Sequence, residues 1–219
     1  MKTNKVVLGA LMLVALISCG DDDDNNNKKT VAIGSTLTID ATDYSAWTYI
    51  NLKTGQTQKV ADFNSWNYLS EGEVTKTEAP KANASDVTIE WHIAIHRFDI
   101  KTNGGAAVAT TAKDFASVTE WPIDGYQKDV QVKNKLITDM SGMMKGEIGY
   151  AAASDYNEVL SAWLTKTPTG SMPPYTYDPT NIVYIVKNAD GSYAKLLFTD
   201  YSNDEGTTGH VTFSYEYQE

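Results

Sequence analysis

The chain has 219 residues and a formal net charge of −10, with Arg97 its only arginine and Cys19 its only cysteine. That length suits one sizeable domain with its own core. The acidity disfavours nucleic acid, a lone arginine excludes a clamp built from several, and one cysteine excludes a disulfide framework or a cysteine zinc site.

In chain order, Lys2 and Lys5 form a basic start, and residues 6–17 form an apolar run too short to span a bilayer. The run closes on Leu16, Ile17, Ser18, Cys19 and Gly20, small residues around a cysteine, the pattern at which a thiol is lipidated and the preceding bond cut. Residues 1–18 are read as a lipoprotein signal peptide and Cys19 as the lipidation site, which leaves no thiol for catalysis. The segment 19–29 carries DDDDNNNKK and nothing that can be buried, so it is expected to be a disordered acidic tether. Acidic residues at that place also resemble the surface-export signal of Bacteroidetes lipoproteins. The expected location is the outer membrane, lipid-anchored and displayed at the cell surface.

Residues 30–219 are expected to form a single all-β domain, an irregular two-sheet body with long loops at one end. Residues 30–39 read as one strand broken at Gly34 or as a strand pair. Residues 46–53 are aromatic and β-branched and then meet a turn at Thr54 and Gly55. Residues 68–86 are polar without a clear period and read as a long loop. Strands are predicted over 87–95, 130–138, 181–187, 193–201 and 210–217, with Asn188 to Gly191 as a hairpin loop. The last strand alternates cleanly, Val211, Phe213, Tyr215 and Tyr217 on one face against Thr212, Ser214 and Glu216. Tyr156, Val159, Leu160 and Trp163 fit one short helix, although Trp163 and Leu164 equally fit the opening of a strand.

No nucleophile elbow, phosphate-binding glycine loop or His-Glu-x-x-His helix is present, so the chain is not read as an enzyme. Of the three histidines, His92 and His96 would lie roughly 13 Å apart along one strand face at ~3.3 Å per residue, too far to share a metal ion. Satisfied core or loop histidines are the plain reading, with His210 the most exposed. Methionine is more informative. Beyond the signal region, all four methionines, Met140, Met143, Met144 and Met172, fall within residues 140–172. Core methionines would scatter through a domain as gap-fillers. These sit in turn-like segments, DMSGMMKG over 139–146 and SMPP over 171–174. A thioether there is idle, caps the core, or is offered to a soft or borderline metal such as copper(I) or haem iron.

Four segments resemble the HmuY family of Bacteroidetes haem-binding lipoproteins: residues 40–55 (DATDYSAWTYINLKTG), 90–105 (EWHIAIHRFDIKTNGG), 122–126 (PIDGY) and 189–201 (ADGSYAKLLFTDY). The resemblance implies an all-β, hand-shaped fold in which two loops grip a haem and each supplies one axial ligand. The matching loops hold no histidine here. They hold Met143, with Met144 as its substitute, and Met172, so the resemblance implies methionine ligation. An extended chain at Met143 and Met144 would let only one of the pair reach iron. Met140 reads as a structural neighbour. Tyr175 and Tyr177 are candidate pocket walls, and Lys145 or Lys166 are candidate propionate partners. The implied role is a haemophore-like surface lipoprotein that takes haem, with host haemoproteins as candidate donors, and passes it to a TonB-dependent outer-membrane receptor. Soft, neutral ligands imply a preference for ferrous iron. The alternative function is a surface glycan-binding or adhesin-like lipoprotein, since five tryptophans and thirteen tyrosines suit sugar stacking.

Overall fold

The computed structural model describes residues 34–219; the signal peptide, Cys19 and the tether lie outside the described residues. Within them the chain forms β1 (Ser35–Asp40), β2 (Ala46–Ile50), β3 (Thr57–Ala61), β4 (Trp66–Ser70), β5 (Glu73–Glu78), β6 (Ile93–His96), β7 (Asp99–Thr102), β8 (Ala106–Ala109) and β9 (Gln127–Lys128). There follow β10 (Val130–Val132), β11 (Ile137–Asp139), β12 (Glu147–Ala151), β13 (Ser154–Tyr156), helix α1 (Glu158–Ser161), β14 (Leu164–Pro168), β15 (Tyr175–Pro179), β16 (Val183–Lys187), β17 (Tyr193–Ser202) and β18 (Thr208–Gln218). The all-β expectation holds. Hydrogen bonding divides the strands into five ladders rather than two sheets: β1-β18-β17-β16-β8-β9, β3-β2-β6-β7, β11-β12-β4-β5, and the ribbons β10-β13 and β14-β15.

Alternation explains the layering. In β18, Val211, Phe213, Tyr215 and Tyr217 are buried while the residues between them are half-buried. They join the main core with Phe198, Tyr201 and Trp163, whose ring lies 4.8 Å from that of Phe198. Strand β2 is buried on both faces because neighbouring residues enter different cores. Ile50 belongs to the main core, and Trp47 and Tyr49 to a second cluster with Val60, Leu136 and Tyr156. Strand β6 divides in the same way, Ile93 and Ile95 to one side and Ala94 to the other. The two inner strands β2 and β6 of the β3-β2-β6-β7 ladder are therefore covered on both faces, while its edge strand β3 stays largely exposed.

Several boundaries differ from the expected ones. The stretch 87–95 is strand only from Ile93, because the Gln58 side chain replaces a ladder: its Oε1 accepts from Thr88 N at 2.8 Å and its Nε2 donates to Asp86 O at 2.8 Å. The expected loop over 68–86 contains the β4-β5 hairpin. Its turn places Glu71 and Gly72 at φ of 50° and 87°, the backbone twist favoured between paired strands. Strand β5 is exposed on both faces except at Glu78, so no apolar period marks it. The run 130–138 breaks into β10 and β11 around Asn134, at φ 49°. Near Trp163 each reading is met only in part: α1, capped by the Asn157 side chain, which accepts from Leu160 N, spans Glu158–Ser161 alone, Tyr156 ends β13, and β14 opens at Leu164, so Trp163 lies in the turn between helix and strand.

Candidate functional site

The methionine segments are the tips of two arms. In the first, β11 and β12 are joined by a tight turn whose residues Met143–Lys145 form a 3-10 helix. Met143 N donates to Met140 O and Lys145 N to Gly142 O, while Asp139 caps Ser141 N at 2.8 Å. Gly142 is required by close approach, since a Cβ there would stand 2.6 Å from Glu147 O. The backbone at Met143 and Met144 is thus a helical turn, in keeping with the turn-like segment, and not the extended chain under which only one of the pair could reach iron. Successive side chains then diverge by about a third of a revolution rather than pointing to opposite faces. Met143 is 51% exposed and Met144 90%.

The second arm is the β14-β15 ribbon, and Met172 sits at its tip, 86% exposed. The tip is held by Thr169, whose N donates to Pro174 O at 3.0 Å and whose hydroxyl donates to Ser171 O at 3.0 Å. The expected gripping loops are therefore short turns on paired strands. Met143, Met144 and Met172 make up three of the six exposed large hydrophobic side chains among the described residues. Met140 differs from them. It is half-buried and lines a separate cleft with Trp66 and Lys81.

Both arms are rooted on one cavity of about 310 Å³. Lys135 and Ile137 line it from the first arm, and Lys166 and Tyr177 from the second. The segment His96 to Asp99 and the rings of Tyr44, Tyr156 and Tyr201 complete the wall. Tyr177 packs 4.9 Å from Tyr201, and Tyr201 meets Phe98 edge-on at 5.9 Å. Burial raises the Tyr201 and Tyr177 phenols, keeping both neutral. Of the two expected wall tyrosines, Tyr177 lines the cavity. Tyr175 instead lies under the Lys166 ammonium, 4.0 Å from the ring centre. Lys145 is exposed in the last turn of the 3-10 helix.

The histidines have structural partners. His92 Nδ1 accepts from Leu52 N at 3.0 Å, and burial lowers its pKa. His96 is buried in β6, donates through Nε2 to Tyr44 O at 2.7 Å, and packs 5.1 Å from Trp47. His210 is half-buried in β18. Because His92 lies before β6, the two do not share a strand. Among the described residues, no three His, Cys, Asp or Glu side chains gather into a metal site. Tyr44, Lys135 and Tyr201 have no marker in the sequence, and His96 and Arg97 are not assigned to the site by it; for those two, the aromatic and basic texture of 96–101 inside a family-like segment is the available signal.

The HmuY protein family model matches residues 43–215. The chain belongs to the HmuY family. The crystal structure of the apo HmuY analogue (TFO) of Tannerella forsythia is similar over 89% of this chain and 100% of its own, at 43% identity and a TM-score of 0.81. A Bacteroides vulgatus protein described as HmuY-like and haem-binding matches at 37% identity, over 83% and 90% of the two chains, with a TM-score of 0.64. A Bacteroides fragilis protein described as a lipoprotein matches at 32% identity, over 86% and 92%, with a TM-score of 0.65. No curated protein matches the chain.

Proposed function

We propose that this HmuY-family protein is a haem-binding surface lipoprotein that captures haem between its two arms, with Met143 and Met172 as axial ligands and Met144 as the substitute for Met143. One observation supports this most. Thioethers that would ordinarily be buried stand exposed on two separate arms, and both arms rise from the same aromatic cavity. Sulfur is a suitable ligand for haem iron, and aromatic walls suit a flat macrocycle. The description of the Bacteroides vulgatus neighbour as haem-binding points the same way. Capture without chemistry is the role, and the captured haem passes to a TonB-dependent outer-membrane receptor.

Anchoring through Cys19 accords with the signal-like start of the chain and with the lipoprotein neighbour. No helix among the described residues is long and apolar enough to cross a membrane. The glycan-binding alternative has less support, because Trp47, Trp66 and Trp163 are fully buried and cannot stack on a sugar. The test is haemin added to the purified domain under dithionite. A shifted, sharpened Soret band is expected, lost in Met172→Ala and weakened in Met143→Ala. An unchanged spectrum in both variants would remove the methionines from the site.

A further inference from the structure

Arg97 is a buried cation without a counter-charge among the described residues. It is the chain's only arginine, 8% exposed, and no carboxylate among the described residues lies within ion-pair distance of it. Its Nη1 donates to Thr42 O at 2.9 Å and Ala41 O at 3.3 Å. Its Nε, also buried, has no hydrogen-bond partner among the described residues. The Nε–Nη2 edge, the side on which a carboxylate docks through two parallel bonds, thus makes no hydrogen bond to the described residues. The guanidinium is held flat by Tyr44, 4.4 Å from the ring centre, and flanked by Tyr201 at 5.7 Å. Buried charges are ordinarily paired, and leaving one unpaired is costly.

The surroundings repeat the deficit. Tyr201 is 1% exposed, and its buried hydroxyl also lacks a hydrogen-bond partner among the described residues. Lys135 and Lys166 reach the same cavity from the two arms. Their ammonium groups rest on aromatic rings, at 3.7 Å from Tyr156 and 4.0 Å from Tyr175, and neither forms an ion pair with the described residues. Asp99 is the one carboxylate on the lining. In a protein of net charge −10, three cations against one anion around a single cavity is a local inversion of sign.

We infer that this cavity is a carboxylate receptor, in which the Arg97 Nε–Nη2 edge and the Tyr201 hydroxyl donate to one ligand carboxylate while Lys135 and Lys166 attract the ligand's negative charge at the rim. The inference rests on the haem reading: there the ligand carboxylate is a propionate of the porphyrin, and the site selects tetrapyrroles by their acid groups as well as by iron. Arg97 and Tyr201 are binding residues in this scheme, distinct from the methionines at the arm tips.

The test compares iron protoporphyrin with its dimethyl ester, which keeps the iron and ring but removes both acids. Wild-type protein should bind the free acid at least about 10-fold more tightly, the scale of a buried charge-assisted hydrogen bond. Tyr201→Phe removes only an unpaired hydroxyl, so the variant should fold normally. It should weaken the free acid several-fold and leave the diester unchanged. Arg97→Lys should narrow the gap between the two ligands, with a thermal melt checking its fold. Lys135→Gln with Lys166→Gln should reduce the salt dependence of free-acid binding. If acid and diester bind equally, or if Tyr201→Phe weakens both alike, the carboxylate receptor is wrong while haem capture stands. If wild-type protein binds neither porphyrin, both readings fall together.

Discussion

Lys101 offers a direct measure of how dry the middle of this fold is. It lies in β7, 4% exposed, with its ammonium 4.2 Å from the centre of the Trp47 ring, 4.9 Å from Phe63 and 5.3 Å from Tyr49. Burial lowers its pKa from 10.5 to about 8, against the opposing pull of Asp62, Asp155 and Asp129. The folded state therefore releases a proton that the unfolded chain still holds between about pH 8 and 10.5. Where the unfolded chain binds more protons, stability rises with pH. At 1.36 kcal/mol per pH unit, that span corresponds to about 3 kcal/mol gained across the window. Urea unfolding of wild type and Lys101→Met at pH 7.5, 8.5 and 9.5 isolates it. Tyr68 and Tyr201, both raised by burial, remain in both proteins and largely cancel in the difference. Wild type should gain on the variant steadily as pH rises. A constant difference between the two would show that the aromatic cage or water keeps Lys101 at its ordinary pKa, and would refute the reasoning.

Two further outcomes follow from named contacts. Gly209, at φ +103°, stands where an added Cβ would lie 2.3 Å from Arg97 Nη1 and 3.0 Å from Thr42 Cα. Gly209→Ala should cost about 2 kcal/mol or more in urea unfolding, from backbone strain and displacement of Arg97 together, and should weaken haem binding as well. Because thioethers do not titrate, the haem spectrum should persist from neutral pH to about pH 5, where a histidine pair would protonate. A midpoint near 6 in a Soret titration would contradict methionine ligation.

How much was legible in the sequence depended on whether side chains or long-range pairing decided each element. Strand β18 was readable because every second residue enters the core. Hairpin β4-β5 was not, because β5 is an edge strand with polar residues on both faces, leaving the hydrophobic period silent. Residues 87–92 have strand composition, yet the Gln58 amide takes up backbone groups that a ladder would have used. Methionine clustering pointed correctly to two exposed turns, since apolar side chains in polar turns have no packing reason to be there. The cavity between the arm bases was invisible. It is assembled from Tyr44, the turn at Arg97, β11, β13, the β14-β15 ribbon and Tyr201, segments joined only by tertiary structure. Arg97 was read as the absence of a multi-arginine clamp; its burial without a counter-charge emerges only from the fold.

The most direct test of methionine-based capture is a side-by-side titration of the purified domain with ferrous and ferric haem. Two neutral sulfur ligands favour reduced iron, so ferrous haem should bind the more tightly, and Met172→Ala should abolish that preference. Equal or tighter binding of ferric haem by the unaltered protein would contradict the account.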